Sequence, residues 1–305
     1  MSTDITNQLK EKYEAIDQDL EVHLDGLLYS KPINYWDYIQ TDALLNLQIQ
    51  RTTLPDEMVF IMYHQINELL FKMILGEIEQ VAKHDAVDAE LFTSKLMRIS
   101  RYFDMLTSSF TIMKDGMDVD QYNKFRTTLT PASGFQSAQY RKIEFASTEL
   151  INLIDNRFRD SIDRNTSYEH AFEHLYWQAA GKDYKTGKKS YTLTAFEERY
   201  KEEFIRFTKF YNTHNLLSKF RELPKEVKAD KDLISAMRHY DYTVNIKWVM
   251  AHYNTANHYL NIGGETAEAT GGSEWVKYMH PKYQKRIFFP DLWTEKEIQE
   301  WGTNI

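Results

Sequence analysis

Apolar side chains along this chain recur mostly at the three- and four-residue spacings of α-helices. The densest stretch, residues 57–82, is apolar on most of its sides, which predicts a helix buried in the middle of a bundle. The polar, glycine-containing residues 181–189 predict an exposed loop. Further helices are predicted over residues 5–24, 35–51, 89–113, 118–129, 135–159, 194–221 and 229–261.

The scarcity of helix-breaking residues supports an all-α fold, a helical bundle. The 305 residues include only 11 glycines and 6 prolines. No internal repeat or shift in composition marks a boundary, so we expect one helical domain over residues 1–305. Within it, the N-terminal helical arm, residues 1–34, has few apolar positions to bury and is expected to pack on a neighbouring subunit.

Charge and cysteine content exclude several classes of protein. The formal net charge is -8 and the basic residues are dispersed, so no nucleic-acid partner is expected. The absence of cysteine excludes disulfides, thiolate metal sites and a cysteine nucleophile. The chain has a polar N-terminus and no apolar run long enough to span a bilayer. We therefore expect no membrane association, no signal peptide and a cytoplasmic location.

Histidine is the remaining candidate for metal chemistry, and the chain has ten. None follows a glutamate by three residues, which argues against a di-iron carboxylate bundle. Zinc-protease, serine-hydrolase and phosphate-loop motifs are also absent. His170 and His174 have a metal-binding spacing, but their charged surroundings favour a solvated helix face.

One polar row interrupts the apolar helix over residues 57–82. His64 follows Phe60 by four residues, and Glu68 and Lys72 continue the same helix face. Because a buried polar group needs a partner, this row faces either an internal network of ion pairs or a polar ligand.

A second histidine lies on another apolar helix. His252 follows Trp248 by four residues, and a neutral imidazole in such a setting is what an axial heme ligand needs. A core histidine that packs without binding metal has the same pattern, and nearby His258 is a rival ligand.

Two further segments could bind a polar ligand. Tyr122 and Arg126 share a helix face just before the bend at residues 131–134, where an arginine can bind a carboxylate or pair with a structural acid. Residues 270–273, a small-residue stretch with hydroxyls, could close over such a ligand.

Together, these motifs resemble the heme-dependent tryptophan 2,3-dioxygenase family, over a little more than half of the chain. The strongest is the run from Phe125 to Arg141, which contains Leu-Thr-Pro-Ala-Ser-Gly-Phe-Gln-Ser. The other matching segments are Tyr35 to Gln40, Asp56 to Gln65 with Glu68, Leu69 and Lys72, Trp248-x-x-x-His252, Thr270 to Ser273 and Phe288 to Leu292. Residues 150–235 align poorly and are interpreted as a variable helical elaboration.

The resemblance implies a role for each matching position. It implies a b-type heme with His252 as the axial iron ligand, and with Trp248 and Ser133 beside the cofactor. His64 would be the catalytic distal histidine that accepts a hydrogen bond from the indole N–H. The implied substrate contacts are Phe60 at the indole, Arg126 and Tyr122 at the carboxylate, Thr270 at the amino-acid end, and Tyr35, Tyr38 and Ile39 from a neighbouring subunit of a homotetramer.

The implied reaction is the opening of the indole C2–C3 bond of L-tryptophan by O2 to give N-formylkynurenine. The segment 263–275 departs from the family pattern, because it is longer and carries Glu274 and Trp275 in place of small residues. Two alternatives therefore stay open: a related heme enzyme that oxidises another indole or aromatic amino acid, and a helical heme-binding protein without catalysis.

Overall fold

The structure is a computed structural model that describes residues 2–84, 88–260 and 279–303. It confirms the all-α prediction, since these residues form helices and turns with only two isolated β-bridges. The chain divides into two compact units, residues 1–49 and residues 50–305. The prediction of a single domain with an arm ending at residue 34 stays a prediction.

The N-terminal unit consists of short helices: α1 (Ser2–Glu14), α2 (Leu20–Tyr29), α3 (Tyr35–Ile39) and α4 (Thr41–Leu44). The continuous helices predicted over residues 5–24 and 35–51 are therefore wrong. Asp17 and Gln40 adopt positive φ angles of 55° and 59°, which interrupt the helical path. No residue from 4 to 49 is buried, so these helices have no core of their own.

The longest helix in the described part of the second unit is α5 (Pro55–Ala82), and it lies where a helix was predicted. The prediction that it is buried on most of its sides is wrong for this chain, because one face exposes four large apolar side chains, Met62, Ile66, Leu69 and Met73. Pro55 occupies the first turn, where its missing N–H costs no hydrogen bond. Glu57 is buried and accepts hydrogen bonds from the backbone N–H groups of Arg51 and Thr52, each at 2.7 Å. This carboxylate fixes the turn that leads into α5.

Most of the core of the second unit lies among five of its helices. These are α5, α6 (Ala89–Ser108), α9 (Ala138–Ser147), α11 (Tyr191–His214) and α14 (Lys231–Tyr242). Their buried faces carry fully enclosed side chains such as Ile78, Phe92, Phe103 and Phe204. The other helices of this unit are α7 (Phe110–Lys114), α8 (Val119–Arg126), α10 (Tyr168–Phe172), α12 (Leu216–Glu222), α13 (Lys225–Lys228), α15 (Val249–Leu260), α16 (Pro281–Gln284) and α17 (Glu295–Gln299).

Two predicted helices are interrupted, and a third ends earlier than expected. Buried Asn215 separates α11 from α12 by accepting a hydrogen bond from the backbone N–H of Ser218 at 2.9 Å. Ser109 separates α6 from α7, and the segment predicted as helix over residues 135–159 ends its α-helical part at Ser147.

The helix predicted over residues 229–261 contains a π-helical turn, Thr243–Trp248, between α14 and α15. A π-helix has one more residue per hydrogen-bonded turn and shifts the faces of the helix on either side of it. It ends at Trp248, four residues before His252. This turn therefore sets which way α15 presents its side chains.

Candidate functional site

A cavity of about 250 Å³ lies among α5, α8, α9, the π-helix and α15. Its wall brings together most of the residues that the sequence singled out. These are Phe60, His64, Tyr122, Arg126, Ser133, Trp248 and His252. The aromatic side chains Tyr63, Phe71, Phe110, Phe135, Tyr140, Trp177 and Tyr259 also line it.

The His64 ring faces the cavity from α5. Its Nδ1 lies 2.7 Å from the carbonyl oxygen of Phe60, and because a carbonyl only accepts, Nδ1 carries the proton. The neutral ring then has an unprotonated Nε2 that can accept a hydrogen bond. Burial lowers the pKa of His64 and keeps it neutral, although much of its surface is open to the cavity itself.

His252 faces the same cavity from α15, and its ring stacks on Phe110 at 5.4 Å between centroids. Burial lowers the pKa of His252 to about 4, with a smaller contribution from His64. The imidazole is therefore neutral near pH 7, as metal coordination requires. The rival His258 is exposed and is not part of the cavity wall.

Tyr122 and Arg126 reach the cavity from α8. The Tyr122 ring lies 6.2 Å from Phe60 and 4.2 Å from Tyr259, measured between centroids. Burial raises the pKa of Tyr122 more than the charge of Arg126 lowers it, so the phenol stays protonated. Arg126 lines the cavity as a half-buried cation.

A buried charged cluster at the cavity wall was missed by the sequence reasoning. Arg141 and Arg286 both pair with Glu144, at 3.0 Å and 2.7 Å, and Tyr176 donates a hydrogen bond to the same carboxylate. Burial raises the pKa of Tyr176, so the phenol is neutral. Two guanidinium groups and one carboxylate leave one net positive charge. A buried charge of this kind favours an anionic ligand group nearby.

The polar row on α5 is only partly an internal network. Glu68 accepts hydrogen bonds from Ser137 Oγ at 2.6 Å and Gln139 Nε2 at 2.9 Å, which tie α5 to the start of α9. Lys72 is exposed. Glu68 therefore bonds to neutral side chains rather than in a network of ion pairs, and it lines the same cavity as His64. A polar ligand at this face stays a prediction.

The structure does not test four of the predicted substrate contacts. Tyr35, Tyr38 and Ile39 lie exposed on α3 in the N-terminal unit. Thr270 and the segment 263–275 lie outside the described residues. His170 and His174 pack their rings at 4.8 Å, but among the described residues no group of three His, Asp or Glu side chains could hold a metal.

Fold and cavity together define an all-α protein with an aromatic-walled ligand site that holds two neutral histidines. A family model described as tryptophan 2,3-dioxygenase matches residues 25–243, well over half of the chain. The chain belongs to this family.

No helix in the described part of the chain is long and apolar enough to cross a membrane.

Several proteins named tryptophan 2,3-dioxygenase are similar to this chain over most of its length. One from Ruegeria sp. (strain TM1040) is 28% identical over 282 residues, covering 87% of this chain and 92% of the relative. One from Geobacillus thermodenitrificans (strain NG80-2) is 26% identical over 303 residues, covering 94% and 98%. One from Polaromonas sp. (strain JS666 / ATCC BAA-500) is 27% identical over 286 residues, covering 92% of each chain.

Proposed function

We propose that this chain is an oxidoreductase that opens the indole C2–C3 bond of L-tryptophan with O2 and yields N-formylkynurenine, using a b-type heme. The observation that carries the proposal is the composition of one cavity. A hydrogen-bond acceptor on His64, the cation of Arg126 and the neutral imidazole of His252 share a wall whose largest group of side chains is aromatic.

The residues of the cavity fit a heme. The His252 ring makes no hydrogen bond among the described residues, and a Cβ added at Gly134 would meet only His252 Cε1, at 3.8 Å, which leaves open space beside the ring. Trp248 Nε1 and Arg141 Nε are buried donors without a partner in the described part of the chain. With the net positive charge of the Arg141 cluster, they suit the acidic propionate groups of the cofactor. His252 would hold the iron, with Ser133 and Trp248 beside the porphyrin.

The cofactor supplies the activation of O2, both of whose atoms enter the product. The protein binds and orients the amino acid. His64 Nε2 accepts the indole N–H, Phe60 packs against the indole ring, and Arg126 with Tyr122 binds the carboxylate. Fixing both ends of the substrate positions the C2–C3 bond, and the aromatic wall keeps water out.

Further contacts of the proposal rest on the resemblance alone. Thr270 would bind the amino-acid end of the substrate. Tyr35, Tyr38 and Ile39 would reach the cavity of a neighbouring copy within a homotetramer. A cytoplasmic location is also proposed on the sequence alone.

Aerobic turnover tests the proposal. Heme-loaded, reduced protein is mixed with L-tryptophan, and the absorbance of N-formylkynurenine is followed with and without carbon monoxide. We expect product that carbon monoxide suppresses. Heme binding without product from L-tryptophan would contradict the proposed substrate, and parallel assays with indole, tryptamine and tyrosine would then identify another.

The contribution of Arg126 is tested by comparing substrates with and without a carboxylate. Arg126→Ala should weaken L-tryptophan binding by about 1.5–3 kcal/mol, the range for a hydrogen bond to a charged group, while heme content stays unchanged. Tryptamine, which lacks the carboxylate, should bind both proteins equally. An equal loss for both compounds would contradict the role.

A further inference from the structure

The π-helical turn Thr243–Trp248 is followed directly by the helix that carries His252. Such turns are rare and occur frequently at functional sites. The first residues of the turn are fully enclosed, with Thr243, Val244 and Asn245 at 0%, 0% and 1% exposure. The contacts that hold this turn therefore lie inside the protein.

One of these contacts comes from Asp241, which is completely buried at the end of α14. Its Oδ1 accepts hydrogen bonds from Asn245 Nδ2 at 2.7 Å and from the backbone N–H of Phe288 at 2.9 Å. Its Oδ2 accepts from the backbone N–H of Phe289 at 3.0 Å and from Trp293 Nε1 at 2.9 Å. All four partners are donors, so the group they suit is a carboxylate with two accepting oxygens.

These four bonds join two parts of the cavity wall. Asn245 belongs to the π-helix that leads to Trp248 and His252. Phe288 follows Arg286 by two residues, and Arg286 pairs with Glu144 at the cavity. Asp241 itself does not line the cavity. It connects the helix that carries His252 to the segment that carries Arg286.

The C-terminal side of the connection is fixed a second time. Arg238, one helical turn before Asp241, places its guanidinium 4.0 Å from the centre of the Trp293 ring and donates to the carbonyl of Leu292 at 2.8 Å. Trp293 is thus held on its face by Arg238 and at its N–H by Asp241.

We propose that Asp241 is a positioning residue that fixes the π-helical turn against residues 286–293 and so aligns His252 and Arg286 for one ligand. The inference rests on the proposed heme function. An asparagine in its place would turn one accepting oxygen into a donor, which would face two N–H groups. The two hydrogen bonds at that oxygen would then break, even though the size of the side chain is unchanged.

The test compares Asp241→Asn with a matched control, Glu77→Gln. Glu77 is another buried carboxylate, paired with Lys95 at 2.9 Å and Arg98 at 2.7 Å between α5 and α6, and it does not line the cavity. Full-length proteins, checked for folding by circular dichroism, are titrated with hemin. The iron–histidine stretching frequency of each reduced complex is measured by resonance Raman spectroscopy.

We expect Asp241→Asn to raise the Kd for hemin by up to about tenfold, the lower end of the effect of losing a group that bonds directly to a metal ligand, and to shift the iron–histidine frequency. Glu77→Gln should leave both unchanged. Wild-type affinity and frequency in Asp241→Asn would overturn the inference and leave the proposed function intact. Equal shifts in both variants would also overturn it, because they would reflect general destabilisation.

Two other outcomes are also decisive. If Asp241→Asn does not fold, Asn245→Ala removes only the π-helix side of the connection, and an unchanged frequency in that variant would overturn the inference. If the wild-type chain binds no hemin, the proposed function fails and this inference fails with it.

Discussion

The tautomer of His64 predicts that the indole N–H of the substrate donates a hydrogen bond to His64 Nε2. Because Nδ1 donates to the Phe60 carbonyl at 2.7 Å, the only acceptor on the neutral ring is Nε2. His64→Ala removes that acceptor. It also removes packing, since the ring lies 4.1 Å from the Phe60 ring between centroids.

The expected loss of substrate affinity in His64→Ala follows from the kind of hydrogen bond that is removed. A hydrogen bond between neutral groups contributes about 0.5–1.5 kcal/mol net, which corresponds to about a 2- to 13-fold change in affinity. The lost packing adds a further cost that does not depend on the indole N–H. A single variant therefore cannot isolate the hydrogen bond.

A double-mutant cycle between protein and substrate isolates it. L-Tryptophan is compared with its benzothiophene analogue, in which sulfur replaces the N–H, by measuring Kd for heme-loaded wild type and His64→Ala. The wild type should prefer L-tryptophan by about 2- to 13-fold, and the variant should bind both equally. If the preference survives in His64→Ala, the hydrogen bond does not involve Nε2.

Three stability predictions can be checked by urea unfolding. Burial raises the pKa of Glu173, but the hydrogen bonds from Lys189, Lys201 and Lys182 together outweigh it and lower the pKa from 4.5 to about 2. Near pH 7, Glu173→Gln should therefore lower the free energy of unfolding by about 1–2 kcal/mol, a value reduced for solvent screening. Below about pH 2, where the native carboxylate is protonated, the two proteins should be equally stable. A constant difference between those pH values would contradict this. Phe103→Ala should lower the free energy of unfolding by about 3–5 kcal/mol, since the ring is fully buried. A decrease of less than about 1 kcal/mol would show that neighbouring core side chains fill the space. Gly302→Ala should lower the free energy of unfolding by at least about 1 kcal/mol, because φ is 72° and a Cβ would lie 2.7 Å from the side chain of Pro281. An unchanged urea midpoint of unfolding would refute this.

The periodicity of the sequence predicted the parts of the fold that depend on apolar burial. Helix α5 is the clearest case for position, because a proline starts it and one of its faces is buried among neighbouring helices. The pattern did not predict that Met62, Ile66, Leu69 and Met73 stay exposed on another face. The helix breaks at Ser109 and Asn215 were not predicted. The break at Asn215 depends on a side-chain hydrogen bond to the backbone of Ser218, and a continuous apolar pattern does not reveal such a bond. At Ser109 no side-chain hydrogen bond caps the start of α7.

The candidate site was predictable where one helix face carries the chemistry. His64 with Phe60, and His252 with Trp248, each share a face at four-residue spacing, and both pairs line the cavity. Arg286 was not predictable, because its partner Glu144 is 142 residues away in the chain. An ion pair between residues so far apart leaves no periodic pattern in the sequence, and Arg286 by itself cannot be told from an arginine on the surface.

Neutrality is the property that the two cavity histidines share, and exclusion of water produces it in both. A protonated His64 would carry a proton on Nε2 and oppose the indole N–H, and a protonated His252 could not bind iron. Burial lowers the pKa of each ring, and the nearby His64 lowers the pKa of His252 further. The aromatic wall thus contributes more than a surface for the indole, because a wall that admitted water would raise both pKa values toward 6.5.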